Sequence, residues 1–221
     1  MARAVPDAKY VAVSDRQRSL LPDLHVIDRV YNGIDLSSFT PGTHRGDYLA
    51  FLGRFHPNKG VDIAIEVARR LGQRLVIAAP SPPDDKRDWF DAKVRPHLGG
   101  RIEWIGPVEG AQRSKILGDA IPTLIPIRWE EPFGLVLIES MACGTPPIAF
   151  ARGAAPEIIQ DRKTGFLVRT VPEIVAAVSS APVINPEECR HYVENRFSMD
   201  RMVDAYLSVY NKARQFELKS T

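Results

Sequence analysis

An α/β fold built on a doubly wound parallel sheet is what this sequence predicts, and three observations carry it. From Tyr48 onward, short apolar runs of strand length alternate with longer runs of helical period, the pattern of a parallel sheet covered by helices. Residues 75–79 are apolar throughout, as a strand buried on both faces should be. The glycine-bearing and charged segments follow strands directly, which is where ligands bind in such sheets.

The 221 residues suit one good-sized domain or one and a half. A hydrophobic content of 44% and a charged content of 25% are those of an ordinary globule. A net charge of +2 is too small to argue for nucleic acid or an anionic membrane. No apolar run reaches the ~18 residues of a membrane span, and the N-terminus lacks the apolar core of a signal peptide. Cys143 and Cys189 have no metal-ligand spacing. Free thiols in a reducing cytoplasm are the expectation.

Along the chain, residues 10–13 read as a short strand and Ser14 as the cap of a brief helix that Pro22 stops. Residues 26–31 read as a second strand, closed by a turn at Asn32-Gly33. The stretch 36–47, rich in Ser, Thr, Pro and Gly, reads as a linker. A strand at 48–52, a loop at 53–60 and a helix at 61–71 follow, the helix gathering Ile63, Ala64, Val67, Ala68 and Leu71 on one face. Next come a strand at 75–79, a helix at 89–94, a strand at 101–105, a helix at 112–117 and a strand at 123–127. Pro132 before and Gly144 after frame a helix at 135–143. Strands at 147–150 and 166–168 and helices at 172–180, 186–196 and 198–216 end the chain.

Two loops carry the chemistry. In the first, Gly53-Arg54-Phe55-His56-Pro57-Asn58-Lys59-Gly60 joins a strand to a helix N-terminus, the usual anion site of α/β folds. Arg54 and Lys59 add full charges, and an Arg can hold a phosphate through two parallel hydrogen bonds. The alternative is a turn with two solvated basic residues, and His56 reads as incidental. In the second, Glu130-Glu131-Pro132-Phe133-Gly134 opens the helix at 135–143, and Gly134 leaves backbone N–H groups open at its positive end.

Glu139 is the odd residue of that helix. It sits among Leu135, Val136, Leu137, Ile138, Met141 and Ala142, so it reads as buried. An ionised carboxylate there is costly unless something donates hydrogen bonds to it. The vicinal diol of a ribose is a suitable donor pair, and an Arg or Lys partner is the structural alternative. Glu131, in what reads as an exposed loop, is either a ligand group or a solvated carboxylate. Asp84-Asp85 lacks D-x-D spacing and an evident third ligand, and reads as a solvated loop.

Glu131 and Glu139, eight positions apart, with Phe133-Gly134-Leu135 between them and Ala142-Cys143-Gly144-Thr145-Pro146 after, resemble the family-4 retaining glycosyltransferases of the GT-B fold. Gly53-Arg54 and Lys59-Gly60 match that family's diphosphate signature, and Asn32-Gly33-Ile34-Asp35 its exit from the first domain. The resemblance implies a remnant of the N-terminal domain at 1–35, a linker at 36–47, a Rossmann-like nucleotide-sugar domain at 48–197, and a C-terminal helix and tail at 198–221. It implies that Arg54 and Lys59 bind the donor diphosphate, Glu139 the ribose and Glu131 the transferred sugar, with Glu131, Arg54 and Lys59 the catalytic set. Gly53, Ile105, Val108, Phe133, Gly134 and Leu135 complete the implied donor site. No metal and no cofactor are implied; the donor is a nucleoside-diphosphate sugar.

The expected function is sugar transfer with retention, in partnership with an N-terminal acceptor domain. The alternative is a non-catalytic nucleotide-sugar-binding module. Without its first domain, the chain is expected to be inactive and to self-associate through residues 10–31. Where the family often has a second glycine after Gly153, this sequence has Ala154, which is expected to crowd a backbone approach to the ligand.

Overall fold

The computed structural model describes residues 8–42 and 46–218, with the backbone alone for 215–218. Residues 1–7 of the expected first-domain remnant, 43–45 of the expected linker and 219–221 of the tail lie outside the described residues. Two short strands, β1 (Tyr10–Ala12) and β2 (Val26–Arg29), pair in parallel around a small helix, α1 (Asp15–Ser19). Ser14 caps that helix, its Oγ accepting from Gln17 N at 2.9 Å.

The turn expected at Asn32-Gly33 does not form. Ile34 instead bridges to the far end of the chain, its N–H donating to Phe197 O at 2.9 Å while Met199 N donates back to Ile34 O at 3.0 Å. Gly33 is there for close approach, since a Cβ at that position would lie 2.3 Å from the Ser198 carbonyl oxygen.

Six further strands form one parallel sheet: β3 (Tyr48–Leu52), β4 (Arg74–Ala78), β5 (Ile102–Trp104), β6 (Thr123–Ile125), β7 (Pro147–Phe150) and β8 (Phe166–Val168), in the order β5-β4-β3-β6-β7-β8. All five residues of β3 are buried. Leu49 and Phe51 join one apolar layer and Tyr48, Ala50 and Leu52 the other, so the alternation of a strand builds a core on both faces of the sheet. β6 stops at Ile125 rather than continuing to 127, because Pro126 has no N–H to give the ladder.

The helices are α2 (Val61–Leu71), α3 (Arg87–Lys93), α4 (Gly110–Gly118), α5 (Leu135–Ala142), α6 (Ala155–Ile158), α7 (Val171–Ser180), α8 (Pro186–Arg196) and α9 (Met199–Leu218). The single turn α6 goes beyond the sequence expectation; Pro156 opens it, but four residues are too few for periodicity to show. Among the described residues, no helix is long and apolar enough to cross a membrane.

The expected linker is bound along its described length. Thr40 N donates to Ser114 Oγ at 2.8 Å, Gly42 N to Cys143 O at 3.2 Å, and Gly46 N to Asp119 O at 2.5 Å. From α8, Arg190 donates to the carbonyls of Phe39, Leu36 and Ala142 at 2.5, 3.2 and 2.9 Å. Polar composition marks a segment that leaves the core, but it does not say whether that segment is held.

Both cysteines are buried thiols that no disulfide joins. Burial pushes the Cys143 thiol up to about 11, while Cys189 Sγ donates to Thr164 O at 3.4 Å. A thiol needs both access and a thiolate fraction to react. Ellman's reagent at pH 8 is therefore expected to label neither cysteine in the native protein and both after denaturation; rapid native labelling would contradict this packing.

Candidate functional site

From β3 the chain proceeds outward to β4 and β5, and from β6 it proceeds the other way to β7 and β8. β3 and β6 are neighbours, with Ala50 paired to Thr123. The loops that leave their carboxyl ends therefore meet at the point where strand order reverses, the place where ligands bind in such sheets. These are the two loops, 53–60 and 126–134, that the sequence singles out.

Arg128 stitches them together. Its guanidinium holds Asp62 at the start of α2 through two bonds of 2.9 and 2.7 Å and donates to Pro57 O at 2.9 Å. Its backbone N–H donates to Asn58 O at 2.8 Å. Gly60, at φ 76°, lies so close to the second loop that a Cβ would fall 2.2 Å from Pro126 O. Sequence singles out neither Arg128 nor Asp62, because nothing local pairs residues 66 apart.

Across this seam Lys59 Nζ meets Glu131 Oε2 at 2.5 Å, and Trp129 Nε1 donates to the same oxygen at 2.9 Å. The Lys59 and Glu131 side chains are only 20% and 18% exposed. The exposed-loop setting expected for Glu131 is thus corrected: a lysine from the other loop and an indole close over it. Arg54 is exposed and makes no hydrogen bond or ion pair among the described residues. His56 has a structural task, its Nδ1 accepting from Asn58 N at 3.1 Å. Burial, then the charges of Lys86 and Arg54, hold its pKa below the usual histidine value, which keeps that nitrogen an acceptor.

Gly134 begins α5 at φ 86° with no side-chain cap, so the first N–H groups of the helix are not taken by a capping side chain. Leu135 is exposed on that first turn. Phe133 is not at the surface; its ring lies 6.0 Å from both Tyr31 and Phe197 in an aromatic cluster, so it anchors the loop from below rather than lining a ligand site. Gly53 donates to Ala78 O at 3.2 Å, and an added Cβ would meet only the Phe51 ring, at 3.4 Å. Ile105 and Val108 lie beyond β5, two strands across the sheet from β3. Ile105 is exposed, while Val108 packs on the smaller apolar layer.

Glu139 is buried, with 5% of its side chain exposed, and it is paired with Arg113 of α4 through Arg113 Nη2 and Glu139 Oε2. Burial pushes its carboxyl up, opposed by the charge and hydrogen bond of Arg113. Its Oε1 accepts no hydrogen bond among the described residues. Sequence predicts the helix carrying Arg113, but only the fold shows which of its side chains meets α5.

The loop after β7 supports Glu131 from behind. Gly153, at φ 59°, brings its Cα so near that a Cβ would lie 2.5 Å from both the N and O atoms of Glu131. Gly153 N donates to Glu130 Oε2 at 3.1 Å, and Ala154 N donates to Glu131 O at 3.0 Å. Ala154 itself is fully enclosed, so no crowding follows from it at a ligand: the glycine that the geometry needs is the one present. From α6, Glu157 accepts from Asp15 N and Arg16 N at 2.8 and 2.7 Å, and Arg16 Nε donates to Glu130 Oε2 at 2.8 Å. The segment carrying β1 and β2 is thereby fastened to the rim of the site.

Residues 46–181 match the family model described as glycosyl transferases group 1. The chain belongs to this family. D-inositol 3-phosphate glycosyltransferase of Mycobacterium leprae (strain Br4923) is 30% identical over 237 residues, covering 94% of this chain and 55% of the relative. The enzyme of the same name from Mycobacteroides abscessus is 35% identical over 159 residues, 65% of this chain and 36% of the relative. The chain thus spans about half the length, or less, of these relatives.

Among solved structures, sucrose-phosphate synthase of Thermosynechococcus elongatus superposes with a TM-score of 0.81 at 21% identity, over 94% of this chain and 58% of that one. HepE of Anabaena in complex with UDP and glucose gives 0.81 at 16% identity, over 91% and 62%. The parallel sheet and its helices are those of the Rossmann-like domains of GT-B glycosyltransferases, as expected.

A methyl group at Gly153 would both require a positive φ of a residue that resists it and strike the Glu131 backbone. Gly153→Ala is expected to cost about 1–3 kcal/mol of stability. Urea unfolding followed by circular dichroism checks this, and an unchanged midpoint would show that the loop is not wedged against Glu131.

Proposed function

We propose that this chain is the donor-binding half of a retaining glycosyltransferase of family 4, acting on a nucleoside-diphosphate sugar together with an N-terminal acceptor domain. One observation carries the reading. Two loops at the reversal of strand order are stitched by Arg128, and Arg54, Lys59, Glu131, the uncapped start of α5 and Glu139 are gathered on them or on the helices they open. Cations and helix N–H groups suit a diphosphate, and a buried carboxylate with a free oxygen suits the ribose diol. The UDP-glucose of one HepE structure belongs to the class of donor proposed here, and the UDP and glucose of another are its two parts.

In this reading the sugar–phosphate bond breaks as negative charge builds on the β-phosphate. Arg54, Lys59 and the α5 N-terminus offset that charge in a site whose dipoles are already oriented. Lys59 holds Glu131 in the ligand-free chain, so phosphate binding draws the ammonium away and frees the carboxylate for the sugar hydroxyls. Two cations and a helix end do the work that a metal ion does elsewhere, and no cofactor takes part. The acceptor domain docks against the open edges of the β1 and β2 pair and the exposed face of α9 bearing Met199, Val203, Leu207 and Tyr210. Without that domain, residues 10–31 are the surface through which copies self-associate and the chain does not turn over. Two buried thiols outside any disulfide favour a cytoplasmic location.

Calorimetry tests the assignment of roles. Arg54→Ala is expected to lose roughly 1.5–3 kcal/mol of affinity for UDP or GDP, the usual worth of hydrogen bonds to charged groups, with nucleoside affinity nearly unchanged. Glu131→Gln is expected to weaken the glucose conjugates of these nucleotides and spare the diphosphates themselves. Diphosphate affinity indifferent to Arg54 would overturn the site.

The absence of a metal requirement is checked separately. With EDTA present, diphosphate affinity is expected to stay within about twofold, because the fixed charges and helix dipole remain. A large loss restored by Mg²⁺ or Mn²⁺ would mean that a cation is part of the donor site.

A further inference from the structure

Nothing in the donor chemistry above calls for Arg113, yet the residue sits in an awkward place. It projects from α4 to Glu139 on α5, and its Nε is buried without a hydrogen-bond partner. An unpaired buried N–H is unfavourable, so the guanidinium is placed by its bond to the carboxylate and not by its own satisfaction. About a third of the Arg113 side chain is exposed, whereas Glu139 is almost wholly enclosed. The remaining oxygen of Glu139 accepts nothing among the described residues. The arrangement is a half-occupied carboxylate: one oxygen engaged by a fixed cation, the other available.

The surroundings supply little else to keep that carboxylate charged. Cys143 lies one turn along the same helix, its thiol protonated by burial. Arg190 of α8 approaches Cys143, but its guanidinium is taken by the carbonyls of Ala142, Phe39 and Leu36. Ser114, next along α4, turns to the backbone of Thr40. Arg113 is what remains.

We propose that Arg113 is a positioning residue of the nucleotide site, the counter-ion that keeps Glu139 ionised and oriented to accept the ribose hydroxyls. The inference rests on the reading of Glu139 as the ribose acceptor and adds a requirement to it. A protonated carboxyl gives up acceptor capacity, and enclosure favours protonation. Arg113 opposes that tendency from a position where it need not touch the nucleotide. With the guanidinium removed, the Glu139 carboxyl rises further, and nucleotide affinity becomes dependent on pH in a defined direction. It is weak while Glu139 holds its proton and recovers as the pH rises and the proton leaves.

The test is calorimetric titration with UDP and GDP between pH 6 and 9 for wild type, Arg113→Met, Arg113→Lys, Glu139→Gln and the double variant Arg113→Met/Glu139→Gln. The phosphate titration of the nucleotide is common to all and cancels in the ratio to wild type. Arg113→Met is expected to bind about tenfold more weakly than wild type at pH 7, as loss of a charge-assisted acceptor implies, and to approach wild type toward pH 9. Arg113→Lys, which restores a cation, is expected to follow the wild-type profile. Glu139→Gln is expected to be weak at every pH, and the double variant no weaker than Glu139→Gln alone. If Arg113→Met does not fold, Arg113→Gln carries the same pH test. A variant-to-wild-type ratio near one and flat with pH overturns this inference alone. Wild type that binds neither nucleotide overturns the donor-site reading, and the inference with it.

Discussion

Between β3 and β6 the sheet changes its direction of growth, and the loops leaving the two strand ends must be held against each other. In an open, doubly wound parallel sheet such a reversal is where ligands bind, outside the carboxyl ends of the strands. The chain answers with Arg128, whose bonds to Asp62, Pro57 O and Asn58 O join the second loop to the first and to the start of α2. Gly60 and Gly153 let backbone touch backbone along that second loop. The site is therefore held by main-chain contacts and one clamp, and its charged side chains are carried on surfaces that are already fixed.

Apart from Arg54, those side chains are paired. Lys59 holds Glu131 and Arg113 holds Glu139, each pair joining two different elements. The energetic weight of the two is not the same as that of a surface pair such as Arg70 with Glu66. Exposed pairs contribute about 0–1 kcal/mol, whereas removing one member of a buried pair costs about 3–5 kcal/mol because the other charge is left enclosed. Glu139 is the enclosed member here, so its partner matters more to it than Lys59 does to Glu131.

Much of this is legible in the sequence. β3, β7, β8, α2 and α8 fall at the expected bounds, because their apolar periods and their Gly and Pro borders agree. Arg54, Lys59, Glu131 and Glu139 stand out in the sequence as candidates because residue type and spacing along two glycine-bearing loops and the helix after the second one mark them. The residues that join distant segments are not. Arg128, Arg113 and Glu157 have partners 66, 26 and 142 positions away, and no local pattern encodes such a pairing. Gly33 and Phe133 depart from expectation for a related reason. A glycine looks the same whether it turns the chain or admits a neighbouring carbonyl, and an aromatic in a loop looks the same whether it faces a ligand or the core.

Of these three, Glu157 reaches furthest along the chain. Its carboxylate closes the N-terminal end of α1, while Glu130 grips Arg16 on that helix and also accepts from Gly153, the residue wedged against Glu131. The outlying β1 and β2 segment and the backbone beneath Glu131 are thus members of one mechanical train. Free-energy coupling is reciprocal: a displacement of the Glu131 loop that loosens α1 implies that displacing α1 reshapes the loop by the same energy. The position of α1 and the shape of the backbone at Glu131 are then a single equilibrium, read from either end.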